Sequence, residues 1–400
     1  MNLSAKTIEI VKATAPLLTE QGEAITRRFY QRMFRQNPEL LNIFNTTNQK
    51  TGRQQAALAG AVYAYAANID NLGVLSKTVQ RIAHKHVSLN IQPEQYPVVG
   101  RHLLKAMADV LGDAATDEIL SSWQEAYSFL SELFIEIEEG LYQKHQQAEG
   151  GWRGTREFQV KNKVQESDLI TSFYFEPVDG LAVTDYHPGQ YIGIYVHPEH
   201  SEYRCIRHYS LSDAPNGRSY RISVKREGEG KTKGLVSHYL HDKVEKGHIV
   251  RLSPPCGDFC PDLSSDAPLI LLSGGVGQTP MLSMLNSVAG KNHQRTIIYV
   301  HSALNSRVHA FGQHVRELAV QNRNIVQILF YDQPTGHCFG HHYEGKTNLQ
   351  LIRERIDLPA AHYYFCGPLG YMVMVKETLQ EWGVPEERIH YEVFGPHKEL

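Results

Sequence analysis

The hydrophobic periodicity of the chain changes twice along its 400 residues. Up to about residue 147, apolar side chains recur every three to four positions, which is typical of amphipathic helices. From 156 to about 262 they alternate with period two, as in QYIGIYV (190–196), which indicates antiparallel strands. From residue 268 onward, short apolar runs mostly separated by helical stretches predict a parallel sheet covered by helices. These runs are LILLS (269–273), TIIYV (296–300), IVQILFY (325–331), HYYFC (362–366) and IHYEV (389–393).

The domain organisation follows from these changes. Glycine and polar residues in EGGWRG (149–154) interrupt the helical pattern and indicate a domain boundary. The predicted parts are an all-α domain at 1–147, a linker at 148–155, an antiparallel β-barrel domain at 156–262 and an α/β domain at 263–400. Within the barrel, Pro215-Asn216-Gly217 lies between two alternating runs, and Asn-Gly favours a β-hairpin turn.

Composition excludes several classes of protein. A net charge of −3 favours neither nucleic acid nor an anionic membrane as a partner. Five cysteines without framework spacing predict free thiols in a reducing compartment, and Cys256 and Cys260 lack the second pair of a zinc site. The first residues do not resemble a signal peptide, and the longest apolar runs are too short for a membrane span. We therefore expect a cytoplasmic protein, with most of its 21 scattered histidines at the surface.

Two histidines stand two positions apart in IAHKHVSLN (82–90), within a predicted helix. The apolar residues of this helix recur at one azimuth when each residue turns it by about 100°: Leu75, Val79, Ile82 and Leu89. His86 falls on this face, whereas His84 lies about 200° away. We therefore expect His86 to face the interior and His84 to face solvent. A lone interior histidine is more often a hydrogen-bonded core residue than a ligand. The residues around His86 must therefore show which of the two it is.

Other polar residues also face the interior of the helical domain. Tyr96 lies on the apolar stripe of the helix at 93–111, and Glu138 lies within about 60° of the stripe at 116–143. An unpaired buried carboxylate is costly, so Glu138, Tyr96 and His86 are candidates to contact one another. Two alternatives stay open: Glu138 could reach water at the edge of its helix, and Tyr30 could be a core tyrosine with a solvated hydroxyl.

This set of residues resembles the haem pocket of bacterial flavohaemoglobins. The matching positions are Tyr30, Phe44, Gln54, Leu58, Lys85, His86, Tyr96 and Glu138. The resemblance implies a globin fold holding one haem b, with His86 as the iron ligand and Phe44 and Lys85 against the haem. Leu58, Tyr30 and Gln54 would line the distal side, where oxygen binds. Tyr96 and Glu138 would hydrogen-bond to His86, which would make the ligand more basic.

The barrel region contains Arg207-His208-Tyr209-Ser210, which resembles the R-x-Y-S motif of ferredoxin–NADP reductases. Alone, these residues fit an ordinary strand of mixed polarity at least as well. Pro188-Gly189-Gln190-Tyr191 before them and Lys233-Gly234-Leu235-Val236-Ser237 after them favour a site for one FAD. The resemblance implies that Arg207 pairs with a flavin phosphate, Tyr209 stacks on the isoalloxazine, Ser210 reaches N5 and Tyr191 contacts the flavin. His208 belongs to the motif without an assigned role.

The third region has a glycine-rich loop after its first strand, and a bare backbone there can approach a dinucleotide phosphate. The loop comprises Ser273, Gly274, Gly275, Val276, Gly277 and Gln278, and Pro280 stands where the dinucleotide fingerprint has its third glycine. Cys366-Gly367-Pro368 resembles the reductase motif near the nicotinamide, although Cys366 also fits a small buried residue. The segment Glu392-Val393-Phe394-Gly395-Pro396 resembles the end that covers the flavin, with Val393 replacing the usual cysteine.

The resemblance extends over the whole chain and implies an NAD(P)H-dependent nitric oxide dioxygenase. Electrons would pass from NADH or NADPH through FAD to haem, and nitric oxide and oxygen would be converted to nitrate. No acidic residue follows the second strand at His301-Ser302, so the preferred nicotinamide cofactor stays open. The alternatives are a flavohaem reductase with another acceptor and a haem-based gas sensor or oxygen-binding protein. We expect a monomer without a nucleic-acid partner, and a lipid is a further candidate occupant of the distal pocket.

Overall fold

The computed structural model describes residues 3–44, 52–199, 201–290, 294–336 and 338–395. The chain divides into two compact units. The first comprises Met1–Ala148, Trp152–Thr155 and Tyr195–Arg207, and the second comprises Glu149–Gly151, Arg156–Ile194 and His208–Leu400. The limits at 147, 155 and 262 stay predictions. All five cysteines lie in the described ranges and carry free thiols.

In the described residues, the first unit is built mainly from five α-helices, as the periodicity predicts. They are α1 (Ala5–Gln36), α2 (Arg53–Ala67), α3 (Ser76–Ser88), α4 (Gln95–Leu111) and α5 (Asp117–Gln147). The two longest helices begin at side-chain caps, where Ser4 accepts from the Thr7 N–H and Thr116 accepts from the Ile119 N–H. Their apolar faces form a core that includes Phe29, Met33 and Trp123, so burial of one helical face holds the unit together.

The barrel region is a six-stranded sheet in the order β4-β3-β6-β1-β2-β5. Its strands are β1 (Arg156–Gln165), β2 (Ile170–Pro177), β3 (Tyr191–Val196), β4 (Cys205–Ser210), β5 (Tyr220–Lys225) and β6 (Ile249–Leu252). β1 pairs antiparallel with β2 and β6, and β2 pairs antiparallel with β5. The two ends of this order approach each other after β4, where Leu211 forms an isolated antiparallel bridge with Ile222 of β5. This bridge supports the predicted barrel.

The turn favoured at Pro215-Asn216-Gly217 is present, as a loop longer than a tight hairpin. β4 ends at Ser210 and β5 begins at Tyr220, and the two sides are joined by the antiparallel Leu211–Ile222 bridge. Asn216 stabilises this loop, because its Oδ1 accepts hydrogen bonds from the backbone N–H groups of Arg218 and Ser219, each at 2.9 Å. Gly217 supplies the left-handed φ of +66° that this loop requires.

The C-terminal region is a six-stranded sheet in the order β10-β9-β8-β7-β11-β12, and each of its ladders is parallel. The strands are β7 (Leu269–Gly274), β8 (Ile297–Ala303), β9 (Ile325–Tyr331), β10 (His342–Glu344), β11 (His362–Cys366) and β12 (Ile389–Tyr391). All five predicted strands are present, and the short β10 was not predicted. The helices of the second unit are α6 (Leu235–Lys243), α7 (Gln278–Ala289), α8 (Gly312–Gln321), α9 (Arg353–Ile356) and α10 (Leu369–Glu381).

The strand order creates a switch point at β7. β8 lies on one side of β7 and β11 lies on the other, so the connections leave β7 in opposite directions. In open α/β sheets, ligands bind outside the carboxyl ends of the strands at such a point. The glycine-rich loop follows the carboxyl end of β7 directly. None of the helices in the described ranges combines the length and apolar composition that crossing a lipid bilayer requires.

Candidate active site and cofactor sites

A buried hydrogen-bonded group surrounds His86 in the helical unit. The Nδ1 atom of His86 lies 2.7 Å from Glu138 Oε1 and 3.1 Å from Tyr96 Oη. Tyr96 also donates its hydroxyl to Glu138 Oε1 at 2.5 Å. Glu138 is 3% exposed, so it does not reach water at the edge of its helix. Helices α3, α4 and α5 each supply one member of this group, as helical phase predicts.

The electrostatics of the group fix the orientation of the imidazole. Burial and the nearby Glu138 carboxylate raise the pKa of Tyr96, so this hydroxyl stays protonated and donates. The carboxylate accepts from Nδ1–H, which leaves the lone pair of the imidazole on Nε2. Nε2 of His86 makes no hydrogen bond to any described residue. A satisfied core histidine would use both nitrogens, whereas an iron ligand needs this arrangement.

The predicted distal residues lie on α1, on the turn after it and on α2. The Tyr30 ring is 5.8 Å from the Phe44 ring and 5.7 Å from the Phe34 ring, and Leu58 packs against the same apolar core. Gln54 is the second residue of α2, and its Oε1 is shielded from solvent without a hydrogen-bond partner among the described residues. An orphaned buried amide oxygen fits a site completed by a bound group.

The two residues that precede His86, His84 and Lys85, have different surroundings. His84 is half-buried and its Nδ1 is shielded from solvent, so the expected surface position is wrong. Its charge, together with that of Lys144, contributes to a lowered pKa of His145, about 4, although burial is the main cause. Lys85 is half-buried, and its carbonyl accepts from the Leu89 N–H near the end of α3.

The flavin motif occupies β4. Side chains alternate along a strand, so Arg207 and Tyr209 share one face and His208 and Ser210 share the other. Arg207, His208 and Tyr209 are half-buried, and Ser210 is 5% exposed. His208 has a structural neighbour, because its ring meets the Tyr191 ring edge-on at 5.0 Å. Arg207 offers a planar cation, Tyr209 an aromatic ring and Ser210 a small hydroxyl. These three groups on one strand fit a flavin and its phosphates.

A short helix follows Lys233-Gly234. α6 begins at Leu235, and Val236 and Ser237 in its first turn are buried. The Ser237 hydroxyl donates to the Gly234 carbonyl oxygen at 3.1 Å and accepts from the Glu227 N–H at 3.2 Å. These bonds hold the approach to the helix in place, and the N–H groups of its first turn have no partners within the helix.

The glycine-rich loop and the Cys-Gly-Pro motif meet at the carboxyl end of the parallel sheet. A Cβ at Gly277 would lie 2.3 Å from the Cys366 carbonyl oxygen, and one at Gly274 would lie 3.0 Å from Pro368. Gly275 has a left-handed φ of +54°. Bare backbone is therefore required here for the two loops to approach each other.

The remaining loop residues differ in exposure. Ser273 and Gln278 are fully buried, Val276 and Gly367 are half-buried and Pro368 is exposed. Neither amide atom of Gln278 has a hydrogen-bond partner in the described part of the chain, which fits contact with a polar ligand or ordered water.

The C-terminal segment continues from β12 beside β11. The Glu392 N–H contacts the Phe365 carbonyl oxygen at 3.4 Å, and Val393 packs against the core of the sheet. Burial and the Glu392 charge raise the pKa of the Cys366 thiol, so this sulfur stays protonated. Phe394 is 45% exposed and Gly395 has a φ of +150°. Pro396 lies outside the described residues.

Three family models match the chain in the order of these regions. The Globin model matches residues 27–133, the Oxidoreductase FAD-binding domain matches 157–260 and the Oxidoreductase NAD-binding domain matches 271–377. The flavohemoprotein of Halalkalibacterium halodurans is 47% identical over 399 residues, covering 98% of this chain and 97% of that protein. The flavohemoprotein of Rhizobium meliloti is 49% identical over 398 residues and covers 98% of each. The chain belongs to the flavohemoprotein family.

Solved structures agree with this flavohemoprotein assignment. A flavohemoglobin from Malassezia yamatoensis with bound FAD and heme is 27% identical, covers 99% of this chain and 100% of that chain, and has a TM-score of 0.86. The flavohem-like FAD/NAD binding domain of nitric oxide dioxygenase from Vibrio cholerae is 44% identical, covers 60% of this chain and 99% of that chain, and has a TM-score of 0.56. The predicted family and fold class are therefore confirmed, and this flavohemoprotein is an oxidoreductase.

A buried histidine pair in the NAD-binding region of this flavohemoprotein was missed by the sequence reasoning. His301, at 0% exposure, contacts Ser273 Oγ through Nδ1 at 2.8 Å, and its ring lies 4.3 Å from the His309 ring. Nδ1 of His309 is 2.7 Å from the Tyr331 hydroxyl. Burial lowers the pKa of both imidazoles, to about 3 for His309. The available signal was that Tyr299 and His301 lie two positions apart on β8, and therefore on the same face of the sheet.

Proposed function

We propose that this flavohemoprotein is an NAD(P)H-dependent nitric oxide dioxygenase that detoxifies nitric oxide. The observation that carries the proposal is the His86–Tyr96–Glu138 group in a globin domain that shares one chain with FAD-binding and NAD-binding oxidoreductase domains. The Vibrio cholerae relative, whose FAD/NAD-binding domain is 44% identical, is named nitric oxide dioxygenase. One hydride supplies two electrons, and each electron converts one nitric oxide and one oxygen molecule to nitrate.

The proposed roles in the globin domain rest on the geometry around His86 and on the resemblance of the other positions to the flavohaemoglobin haem pocket. His86 would hold haem iron through Nε2, while Glu138 and Tyr96 keep the proton on Nδ1 and make the imidazole more basic. Bound FAD and haem supply the redox chemistry, in which hydride electrons are passed singly to an iron that activates oxygen. Phe44 and Lys85 would contact the haem, and Leu58 would restrict its distal side. Tyr30 and Gln54 would supply the distal polar groups.

The proposed reductase sites use the motifs of the second and third regions. Arg207 would pair with an FAD phosphate, Tyr191 and Tyr209 would contact the flavin ring, and Ser210 would reach its N5 atom. His208 would support Tyr191 through their edge-on contact. Residues 273–278 and 366–368 would hold the nicotinamide dinucleotide at the switch point, and residues 392–396 would cover the flavin.

The surroundings of this enzyme are further proposals. We infer a cytoplasmic monomer whose partners are nitric oxide, oxygen and NADH or NADPH. A lipid is a candidate occupant of the distal pocket, where Tyr30, Phe44 and Leu58 belong to or pack against one apolar core. The sequence carries no acidic side chain at His301-Ser302 to select NADH through its ribose hydroxyl, so both nicotinamide cofactors are included.

Two measurements test the proposal on the purified full-length protein. Its absorption spectrum should show a Soret band with flavin shoulders, and NADH should bleach the flavin. Addition of nitric oxide and oxygen should then consume NADH and nitric oxide with formation of nitrate. NADH oxidation without nitrate formation would rule out the dioxygenase and favour a flavohaem reductase with another acceptor.

A further inference from the structure

We propose that Tyr195 is a positioning residue for α3, the helix that carries the proposed iron ligand. Its hydroxyl donates a hydrogen bond to the Ser88 carbonyl oxygen at 2.7 Å. Ser88 ends α3, two residues after His86, and Tyr195 lies on β3, four residues after Tyr191. The anchoring of α3 depends only on this bond, whereas its effect on electron transfer rests on the proposed function.

The end of α3 needs a hydrogen-bond donor at this position. The last four carbonyl groups of an α-helix have no partner within the helix. In α3, the carbonyl oxygens of Lys85, His86 and Val87 accept from backbone N–H groups of the residues that follow the helix. The Ser88 carbonyl oxygen accepts from Tyr195, which lies 107 residues later in the chain. Tyr195 is therefore a long-range partner of this helix end.

Both ends of this hydrogen bond are shielded from water. Tyr195 is 7% exposed and Ser88 is 0% exposed. A buried carbonyl oxygen that loses its donor does not readily bond to water instead, so leaving it unpaired is costly. The bond therefore restrains the end of α3 more strongly than an exposed contact would.

The chain around Tyr195 packs with the helices. The segment Tyr195–Arg207 belongs to the first compact unit, and the Arg204 N–H in this segment donates to Asn42 Oδ1 at 2.9 Å. The segment begins on β3 and ends at Arg207, the first residue of the flavin motif. The Tyr195 hydroxyl therefore joins α3 to a strand that also carries a proposed flavin contact.

This bond bears on the orientation of His86. Two residues of an α-helix span about 3 Å, so a movement of Ser88 is transmitted almost directly to the imidazole. Glu138 holds Nδ1 of the imidazole, and Tyr195 holds the backbone beside it. A functional side chain is held within about 0.5 Å of its working position by such surrounding bonds. Loss of the Tyr195 hydroxyl should therefore change haem ligation and electron transfer from flavin to haem.

Tyr195→Phe tests this role because it removes the hydroxyl and keeps the ring. Tyr65→Phe is the matched control, since the Tyr65 hydroxyl donates to the Ala126 carbonyl oxygen at 2.8 Å in the same unit. Tyr65 is 5% exposed, so the two variants lose the same kind of buried hydrogen bond. Tyr65 lies on α2 and Ala126 lies on α5, so the control leaves the bond to α3 in place.

Hydrogen–deuterium exchange tests the anchoring on the full-length protein loaded with haem and FAD. The backbone amides at the end of α3 should exchange about tenfold faster in Tyr195→Phe than in the wild type. In Tyr65→Phe they should exchange at the wild-type rate. Wild-type exchange in Tyr195→Phe would overturn the proposal, and so would equal acceleration at this helix end in both variants.

Haem ligation and electron transfer test whether the anchoring has a functional role. The iron–histidine stretching frequency of the ferrous protein should shift in Tyr195→Phe and stay unchanged in Tyr65→Phe. In anaerobic stopped-flow experiments, electron transfer from flavin to haem should slow by about tenfold in Tyr195→Phe, while flavin reduction by NADH keeps its wild-type rate.

The outcomes separate this role from simple stabilisation of the fold. Faster amide exchange in Tyr195→Phe with an unchanged stretching frequency and an unchanged transfer rate would overturn the positioning role. A wild-type protein that passes electrons from flavin to haem but forms no nitrate would refute the proposed function. The slower transfer in Tyr195→Phe would in that case still support the role of Tyr195.

Discussion

At the scale of single residues, Glu138 links burial to the chemistry of His86. A carboxylate that is 3% exposed needs strong hydrogen bonds, and it obtains them from His86 Nδ1 and the Tyr96 hydroxyl. The same bonds select one imidazole tautomer and orient Nε2 away from the carboxylate. Removing the proposed iron ligand and removing only its hydrogen-bond partner should therefore have different consequences.

Replacement of the two motif histidines should separate their roles. His86→Ala removes the proposed iron ligand, so we expect loss of haem or a Soret band that lacks imidazole ligation. His84→Ala is the matched control two residues away, and its haem spectrum should stay close to that of the wild type. Absorption spectra of the two purified variants provide the measurement. Equal damage to both spectra would contradict the assignment of His86 as the iron ligand.

Glu138→Gln keeps the size of the side chain but removes its charge. The imidazole becomes less basic, so nitric oxide consumption should fall by about tenfold or more while haem content changes little. Glu136→Gln is the control, because Glu136 lies on the same helix and is exposed. Turnover and haem content should be measured on the same preparations. An unchanged rate in Glu138→Gln would remove the proposed role of this carboxylate.

At the scale of elements, the start of α7 and the end of β11 are in direct backbone contact. Gly277→Ala would place a Cβ 2.3 Å from the Cys366 carbonyl oxygen, and this backbone has little freedom to move away. We expect a loss of stability of about 1–3 kcal/mol and slower hydride transfer from NADH to the flavin. Thermal unfolding and stopped-flow flavin reduction would measure the two effects.

Gly370→Ala gives the control for this contact. Gly370 lies on α10, and an added Cβ meets nothing within 4 Å. Its stability and flavin reduction rate should match those of the wild type. Similar losses in both variants would mean that the close approach of α7 and β11 does not cause the effect.

Helices and strands could be predicted from the sequence where one of their faces is buried. The pairing of β5 with β2 could not. The spacing of Tyr96 and Glu138 on their helices made both residues candidates to contact His86, because helical phase determines which face is buried. The Asn216-Gly217 signal indicated the turn before β5, but it could not indicate that β5 also pairs with β2. That pairing depends on β2, about fifty residues earlier in the chain.

At the scale of the whole molecule, the histidines were expected mostly at the surface, and this expectation is wrong. His102, His301 and His309 are buried, and His84 and His145 are among several that are half-buried. Burial lowers the pKa of His309 to about 3 and is the main cause of the lowered pKa of His145, about 4. Both units therefore contain imidazoles that stay neutral when folded at mildly acidic pH.

These buried imidazoles make the folded protein sensitive to acid. The pKa of an unfolded histidine is about 6.5, so below this pH the unfolded chain binds protons that folded His309 does not. The contribution of neutral His309 to the free energy of unfolding should therefore be fully present above about pH 6.5. It should decrease as the pH falls towards the folded pKa. For His309, which is 2% exposed, the loss at pH 5 is about 2 kcal/mol.

His309→Gln tests this pH dependence because glutamine keeps a polar side chain without a titrating ring. The difference between its unfolding temperatures at pH 7.5 and pH 5, followed by release of FAD fluorescence, should be smaller than in the wild type. His341→Gln, at an exposed histidine, should keep the wild-type difference. The comparison uses differences between two pH values, so a constant loss of stability from the substitution cancels. An undiminished pH dependence in His309→Gln would show that this imidazole is protonated equally in the folded and unfolded states.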